Sequence, residues 1–402
     1  MRVAFINSVA GFGSTGRLVY RLSRIDGVQG RIYYGRKQNL TDADVYRITD
    51  FFGNAKHACR TFLSDAQGFS NSRETEKMVS NLKSFNPDLI HLHNLHGYYL
   101  DAEVLFHYLK ECGKPVIWTF HDCWPFTGHC AHYDSLHCEK WKTECMKCPG
   151  LNQYPITWNG MNVRKNYARK KELFNSLGRQ LTIVTPSFWL ESQVRQSFLK
   201  DNDIRTIHNG IDLSVFHPRE TSFRKEHHLE DSFLILAVAS IWNKEKGFED
   251  LLKLRDQLKE PQKLIAVGVT PAQKRKLDSP KVLCIPRTDS VDELCQIYSS
   301  ADVLINLTYE DTFPTVNLEA LACGCPVITY ETGGSPEAVT DRTGRVIPQG
   351  DLEMLVRMLS DLQERRLVLN RSDCVRRGRR FSDVNMLNSY RVLYEERTGF
   401  AL

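Results

Sequence analysis

The sequence lacks any run of about 18 apolar residues, which excludes a helix that spans a membrane. It also lacks the apolar core of a signal peptide, because "MRVAFINSVAGFGSTGR" becomes rich in glycine after about six apolar positions. We therefore expect a cytoplasmic protein. A large net charge is absent too, and the value of +5 does not by itself predict a nucleic-acid partner.

Cysteine, in contrast, is abundant: twelve residues in a chain without a secretory signal favour reduced thiols, metal ligation or burial over a disulfide framework. Four of them have the spacing Cx7Cx6CxxC, namely Cys130, Cys138, Cys145 and Cys148. Four thiols at this spacing suit a structural zinc that would hold an insertion, 129–150, too short for its own core. The alternatives are four reduced cysteines in a loop, or two disulfides in an oxidising compartment. Three spare ligands lie nearby: His129, His132 and His137.

Length and patterning predict the fold class. A chain of 402 residues is too long for one core. Short apolar runs alternate with helical patterns, which predicts parallel sheets covered on both faces. The first series of predicted strands is 2–7, 30–35, 88–94, 115–122, 181–187 and 204–212. The second series is 233–240, 263–269, 281–286, 302–308, 326–331 and 344–348.

We therefore expect an α/β protein of two doubly wound, Rossmann-like domains that face each other across a ligand cleft. The first domain would span 1–217 and the second 218–377. A polar, proline-bearing stretch, 216–232, is interpreted as the linker. The amphipathic segment from about 378 to 402 would be a helix that returns to the first domain.

The stretch from 305 to 334, "INLTYEDTFPTVNLEALACGCPVITYETGG", carries acids where a strand ends. Glu310 and Asp311 close the strand, and Glu319 follows Asp311 after seven residues, in the predicted first turn of a helix. A carboxylate there can accept hydrogen bonds from two hydroxyls of a sugar or ribose, and N–H groups near the helix start suit an anion. The alternative is that these acids only complement the helix dipole.

Two other strand ends of the same domain carry matching chemistry. "ASIWNKEKGFEDLL" places Lys244 and Lys246 at a turn into a helix, where they can meet a diphosphate or remain solvated. "ETGGSPEAV" places Gly333 and Gly334 in a turn after another strand. Basic groups, acids and a glycine turn at one sheet edge describe a site for a nucleotide sugar.

At these residues the sequence resembles a known family, the retaining GT-B glycosyltransferases of family 4. Their signature is an acid, seven residues and a glutamate before a small-residue run, and here it reads "DTFPTVNLEALACGCPV", between "SSADVLIN" and "TGGSPE". "NGID" with "FHP", "VTPSFWL" and "STGR" also match, so the resemblance covers nearly the whole chain. The stretch "HDCWPFTGHCAHYDSLHCEKWKTECMKCPGLNQYP" resembles the subset that builds capsular and exopolysaccharides, colanic acid among them.

The resemblance assigns roles to residues of the second domain. Asp311 would hold the hydroxyls of the transferred sugar, Glu319 the ribose, and Lys246 the diphosphate. Donor-loop contacts would come from the backbone of Phe313, Pro314 and Thr315.

Two departures from the family pattern bear on this site. The first acid is aspartate instead of glutamate, with Glu310 beside it as a substitute. The family arginine before Lys246 is absent, so Lys244 would supply part of that charge.

In the first domain, the resemblance makes His121 the histidine near the reacting sugar, although a lone histidine is more often structural. Gly13 and Gly16, with Gly11, resemble the glycine loop under the donor diphosphate, where the backbone approaches closely. A further group, His91, His93 and His96, is interpreted as a wall of the acceptor site, with metal binding as the alternative.

A basic run follows the cysteines and consists of Arg164, Lys165, Arg169, Lys170 and Lys171. Such a run contacts RNA or an anionic membrane surface, or is simply a solvated helix face. Because the acceptors of the resembled enzymes are often lipid-linked, we favour docking on the cytoplasmic face of the inner membrane.

The resemblance therefore implies a retaining hexosyltransferase without a catalytic metal. It would move a sugar from a UDP- or GDP-sugar to a lipid-linked saccharide acceptor in bacterial capsule or exopolysaccharide synthesis. The alternatives are a nucleotide-sugar epimerase, a sugar phosphorylase and a zinc-bearing nucleic-acid-binding protein.

Overall fold

A computed structural model describes all 402 residues and divides the chain into two compact units. Unit 1 comprises Met1–Ile207 together with Leu387–Leu402, and unit 2 comprises His208–Met386. The C-terminal segment thus belongs to the first unit, as the sequence predicted. The junctions differ from the predicted ones, which were placed at residues 217 and 377.

Thirteen strands form the two sheets. In chain order they are β1 Arg2–Asn7, β2 Gln29–Tyr34, β3 Asp44–Arg47, β4 Leu89–Leu92, β5 Val116–Thr119, β6 Leu181–Thr185, β7 Asp203–Thr206, β8 Phe233–Val238, β9 Gln262–Val267, β10 Val282–Ile285, β11 Val303–Asn306, β12 Val327–Tyr330 and β13 Gly344–Ile347. Twelve of the thirteen coincide with predicted strands. The exception is β3, a polar edge strand whose residues are not buried, so that it gives no apolar signal.

Fourteen helices accompany the strands. They are α1 Gly13–Leu22, α2 Phe51–Ser64, α3 Ser72–Phe85, α4 Ala102–Cys112, α5 Val163–Asn175, α6 Phe188–Gln196, α7 Phe223–Glu226, α8 Phe248–Gln257, α9 Pro271–Lys276, α10 Val291–Ser300, α11 Thr315–Ala322, α12 Leu352–Gln363, α13 Arg371–Gly378 and α14 Asp383–Thr398. None of them combines the length and the apolar character needed to cross a bilayer.

Both sheets are parallel and doubly wound. The strand order is β3-β2-β1-β4-β5-β6-β7 in unit 1 and β10-β9-β8-β11-β12-β13 in unit 2. In each sheet the winding direction reverses once, between β1 and β4 and between β8 and β11. Loops that leave neighbouring strands in opposite directions open a crevice at the carboxyl ends, which is where such sheets bind ligands.

The stretch 216–232 is not a linker, and that prediction is wrong. Phe223 and Leu229 are buried in the core of unit 2. The guanidinium of Arg224 donates to the carbonyl of Ser300 and to Asp302, at 2.8 Å each. A few apolar residues and one well-paired arginine are enough to pack a segment whose composition is polar.

The last helix, α14, is tied to the sheet of unit 1 by buried hydroxyl groups. The Tyr394 hydroxyl lies 2.7 Å from Nδ1 of His91, and the Tyr390 hydroxyl lies 2.9 Å from Oγ1 of Thr119. Nε2 of His91 lies 2.8 Å from the same Thr119 oxygen. His91 is completely buried, and burial lowers its pKa well below the usual value. The prediction that His91 lines an acceptor wall is therefore wrong, because its ring anchors α14.

We expect the Tyr394→Phe substitution to lower the free energy of unfolding by about 1–3 kcal/mol, because it leaves Nδ1 of the buried His91 without a partner. Urea denaturation of the purified protein measures this. The matched control is Tyr20→Phe, which removes an exposed hydroxyl bond to Asp42 and should change stability by less than about 0.5 kcal/mol. Equal effects of the two variants would contradict the anchoring role.

Candidate functional site

The candidate site of unit 2 lies at the carboxyl ends of β8, β11 and β12. The loops that follow these strands are 239–247, 307–314 and 331–334. β8 and β11 flank the reversal of strand order, which is where doubly wound sheets bind ligands. All the residues predicted from sequence to bind the donor in this unit lie on these loops or in the helix that follows β11.

An ion pair joins two of the predicted groups. Nζ of Lys246 lies 2.7 Å from Oδ2 of Asp311 and also donates to the carbonyl of Glu310, at 3.1 Å. The other carboxylate oxygen, Oδ1 of Asp311, accepts from the N–H of Phe313 at 3.1 Å. The two charged side chains keep 35% and 22% of their surface exposed, so a ligand can reach both. A bound anion would compete with Asp311 for the ammonium group.

Glycine allows Lys246 to lie over the Asp311 loop. Gly247 has φ +76°, and a Cβ there would come within 2.2 Å of the Leu307 carbonyl oxygen. The N–H of Tyr309 donates to the Glu245 carbonyl at 2.7 Å, which joins the two loops directly. Lys244 lies at the start of the same turn, and its side chain is exposed.

Gly333 fixes the other side of the Asp311 loop. It has φ +52°, and a Cβ there would lie 1.8 Å from the Asp311 carbonyl oxygen. Buried polar contacts hold the surroundings: Nδ2 of Asn306 donates to Oδ1 of Asn317 at 2.9 Å, and Nδ2 of Asn317 donates to Oγ of Ser335 at 2.8 Å. Sequence reasoning missed Asn317, whose signal is an amide between the apolar residues Val316 and Leu318.

The sequence predicted Glu319 in the first turn of its helix, and that prediction is wrong. Helix α11 begins at Thr315, with Pro314 as the N-cap residue, and its first turn holds no acid. Glu319 therefore lies in the second turn, where the helix dipole no longer accounts for a carboxylate. Its Oε2 accepts a hydrogen bond from the buried Tyr298 hydroxyl at 3.0 Å. This contact orients the carboxylate, which leaves ligand binding as the stronger interpretation of the acid.

The two adjacent acids of the loop differ in accessibility. Glu310 is 8% exposed as a residue, and its backbone carbonyl accepts from both Lys246 and Thr308. The Asp311 side chain keeps 22% of its surface exposed. The geometry therefore favours Asp311 over Glu310 for contact with a ligand.

In unit 1, histidines gather at the carboxyl ends of β4 and β5. Nδ1 of His93 lies 3.0 Å from Nε2 of His121, and Nε2 of His96 lies 2.5 Å from Oδ2 of Asp122. Burial lowers the pKa of His121 to about 4, so this ring is neutral at pH 7. Burial opposes ionisation of Asp122, but the nearby His96 outweighs it and brings the Asp122 pKa down to about 2. Asp122 is thus a charged partner that holds His96.

The glycine loop of unit 1 lies between β1 and α1. Gly11 and Gly13 have φ of +68° and +66°, and a Cβ on Gly13 would meet no atom within 4 Å. Gly16 lies in α1, where a Cβ would be 3.1 Å from the Gly11 N–H nitrogen. The N-cap residue of α1, Phe12, supplies no side-chain acceptor. The loop thus combines an uncapped helix start with open space beside Gly13.

The cysteines of the segment 129–150 are free thiols, so the structure does not contain the two disulfides considered as an alternative. Cys130, Cys138, Cys145 and Cys148 line one small cavity together with His129. No group of three or more His, Cys, Asp or Glu side chains stands in a geometry that could already hold a metal ion.

The basic run that follows does not form one face. Lys170 is buried, and its Nζ donates to the carbonyls of Trp124 and Thr127 at 2.7 and 3.1 Å. Arg169 is paired with Glu103. The prediction that all five basic residues meet a membrane or RNA is therefore wrong, because only Arg164, Lys165 and Lys171 are exposed.

We expect the Gly333→Ala substitution to weaken binding of a nucleotide sugar at least tenfold, because the new methyl group must displace the Asp311 loop. Isothermal titration calorimetry measures the change. Gly178→Ala is the matched control, since Gly178 has φ +49° but open space around it, so both variants carry about 1–2 kcal/mol of the same backbone strain. Equal affinity in the two variants would show that the loop position does not matter.

Comparison with known proteins agrees with this geometry. A family model described as Glycosyltransferase Family 4 matches residues 57–215, and one described as Glycosyl transferases group 1 matches residues 232–365. The putative colanic acid biosynthesis glycosyl transferase WcaC of Escherichia coli K12 is 27% identical over 307 residues, which are 72% of this chain and 71% of WcaC.

Solved structures share the fold over the whole length. A sucrose-phosphate synthase from Thermosynechococcus elongatus has a TM-score of 0.69 at 19% identity, covering 98% of both chains. HepE of Anabaena in complex with UDP-glucose has a TM-score of 0.67 at 13% identity, covering 98% of this chain and 100% of HepE. Matches to both family models, to WcaC and to these folds agree. The chain belongs to the family 4 glycosyltransferases, and its fold is GT-B.

Proposed function

We propose that this glycosyltransferase moves a hexose from a UDP- or GDP-sugar to a lipid-linked saccharide in bacterial capsule or exopolysaccharide synthesis. The reaction would proceed with retention of configuration and without a catalytic metal. The observation that carries the proposal is the Lys246–Asp311 pair at the reversal of strand order. The Anabaena neighbours with UDP and with UDP-glucose support this class of donor, and WcaC supports surface polysaccharide synthesis.

Donor binding would exchange the partners of the ion pair. The diphosphate takes the ammonium of Lys246, which neutralises the charge that develops on the leaving group. Asp311, released from Lys246, then accepts hydrogen bonds from hydroxyls of the sugar. Its Oδ1 stays oriented by the N–H of Phe313. The first-turn N–H groups of α11, which begins at Thr315, add positive potential beside the phosphates.

Glu319 would bind the nucleoside. Its Oε2 accepts from the Tyr298 hydroxyl, which fixes the orientation of the carboxylate. A carboxylate held in this way can accept hydrogen bonds from both hydroxyls of a ribose.

The histidine at the end of β5 would act on the sugar. His121 is neutral at pH 7 because burial lowers its pKa to about 4, so the ring exchanges hydrogen bonds with hydroxyls instead of supplying a charge. The contact of its Nε2 with Nδ1 of His93 fixes the plane of the ring. Positioning of the acceptor and donor would then account for much of the rate.

We expect a UDP- or GDP-sugar to stabilise the protein against heat, because a ligand at 100 times its dissociation constant adds about 2.7 kcal/mol. Lys246→Ala and Glu319→Ala should each weaken this stabilisation and reduce transfer at least tenfold, with the fold intact. Lys263→Ala is the control, since Lys263 lies near the start of β9 and pairs with Glu260. No stabilisation by any nucleotide sugar, or full activity in both variants, would contradict the proposed donor site.

An exposed apolar surface in unit 1 supports membrane docking. Main-chain contacts join the end of α2 to the loop 157–162: the Trp158 N–H donates to the Phe62 carbonyl at 2.7 Å. The joined surface exposes large apolar side chains, with exposed fractions of 79% for Phe52, 74% for Trp158 and 81% for Met161. Apolar groups so exposed mark interaction surfaces in soluble proteins.

Charge indicates what this surface would meet. Neither α2 nor the loop 157–162 contains an acidic residue, and Lys56 and Arg60 lie exposed on the helix. Aromatic and basic groups on one helix are typical of contact with anionic lipid headgroups. A docking surface of this kind in unit 1 would bring the chain to a lipid-linked acceptor.

We expect the protein to sediment with vesicles that contain anionic phospholipid, and less with purely neutral vesicles or at high salt. The double variant Phe52→Ser with Trp158→Ser should lose most of this binding. Val368→Ser is the matched control, because it also removes an exposed apolar side chain (66% exposed) but lies in unit 2. Unchanged binding of the double variant would rule out this surface.

A further inference from the structure

The cavity among the cysteines is lined by a histidine as well as by the four thiols. His129 lines the cavity beside Cys130, Cys138, Cys145 and Cys148. The cluster therefore gathers sulfur and nitrogen donors around one small space.

The histidine is held by a buried carboxylate. Nδ1 of His129 lies 2.7 Å from Oδ1 of Asp65, and both side chains are no more than 1% exposed. A carboxylate only accepts, so Nδ1 carries the proton and Nε2 presents a lone pair. Nε2 is buried and has no hydrogen-bond partner. A buried ring nitrogen without a partner is energetically unfavourable, which calls for a ligand on that side of the ring.

Asp65 is itself fixed in place. It ends α2 in the left-handed conformation, with φ +51°. The side-chain amide of Asn166 donates to the Asp65 carbonyl at 2.7 Å and to its Oδ2 at 3.1 Å. A carboxylate that orients a histidine through Nδ1, so that Nε2 faces a cation, is the usual second shell of a zinc ligand.

A main-chain N–H group also contacts one of the thiols that line the cavity. The N–H of Gly150 donates to Sγ of Cys148 at 3.4 Å. Such contacts stabilise sulfur as thiolate, the form that binds metal. Nitrogen and sulfur donors without an accompanying set of oxygens select zinc among the common divalent ions.

We propose that this cavity binds one Zn²⁺, with Nε2 of His129 as the nitrogen ligand and three of the four cysteines as thiolate ligands. In this structure no three of these side chains surround one point. Zinc binding would therefore rotate the thiols inward and release their protons. The ion would join the segment 129–150 to the end of α2 through Asp65. It is structural, and it lies outside the donor and acceptor groups described above.

The test uses the full-length protein, purified without chelator, and measures zinc per chain by mass spectrometry. We expect one zinc per chain in the wild type. His129→Ala should bind zinc at least tenfold more weakly in competition with a chelating dye. His137→Ala, which removes an exposed histidine of the same segment, should bind zinc normally. A wild type that carries no zinc and takes up none would overturn the proposal.

Substitution of zinc by Co²⁺ in the wild type tests the ligand set without any mutation. In the spectrum of the Co²⁺ protein, the intensity of the thiolate-to-cobalt charge-transfer bands should correspond to three thiolate ligands. The visible bands should correspond to one additional imidazole ligand. A spectrum of four thiolates would refute the role of His129. Among the four single Cys→Ser variants, we expect one to retain zinc. Loss of zinc in all four, with His129→Ala unaffected, would likewise refute the role of His129.

Discussion

Close packing of main chain against the Asp311 loop determines where the charged groups of unit 2 stand. Gly247 on one side and Gly333 on the other bring two neighbouring loops within a distance that no side chain permits. The Asp311 loop then has one available position, in which Nζ of Lys246 lies 2.7 Å from Oδ2 of Asp311. The charges are thus placed by backbone contacts, and the ion pair itself, partly exposed, adds little to stability. Such a pair costs little free energy to break, so a ligand that meets both groups can replace it.

Much of the fold follows from continuous apolar runs. The strands that end at Leu92, Thr119 and Tyr330 are buried on both faces, and each was predictable from sequence because buried parallel strands read as unbroken apolar stretches. Elements with polar or outward-facing residues were not predictable in this way. Helix α2 exposes its aromatic side chains, and residues 216–232 pack through Phe223, Leu229 and the partly buried Phe216.

The site was predictable to the level of strand ends but not of side-chain partners. Lys246, Asp311 and His121 could be located from sequence because each follows a predicted strand. The roles of these residues remain predictions. Whether a lysine in a basic run is solvated depends on packing that sequence does not contain: Lys170 lies over the Trp124 ring, and its burial lowers its pKa to about 7. His129 gave no periodic signal either, since its partner Asp65 is distant in the chain and meets it only in the folded unit.

The chain passes from unit 1 into unit 2 and back again, since Leu387–Leu402 belongs to the first unit. The hydroxyl groups that pair with His91 and Thr119 are therefore synthesised only after all of unit 2. When the whole first sheet has left the ribosome, the residues that complete its core have not yet been synthesised. Unit 1 must wait, incompletely packed, while all of unit 2 emerges, so this protein cannot follow the usual order in which N-terminal domains finish folding first.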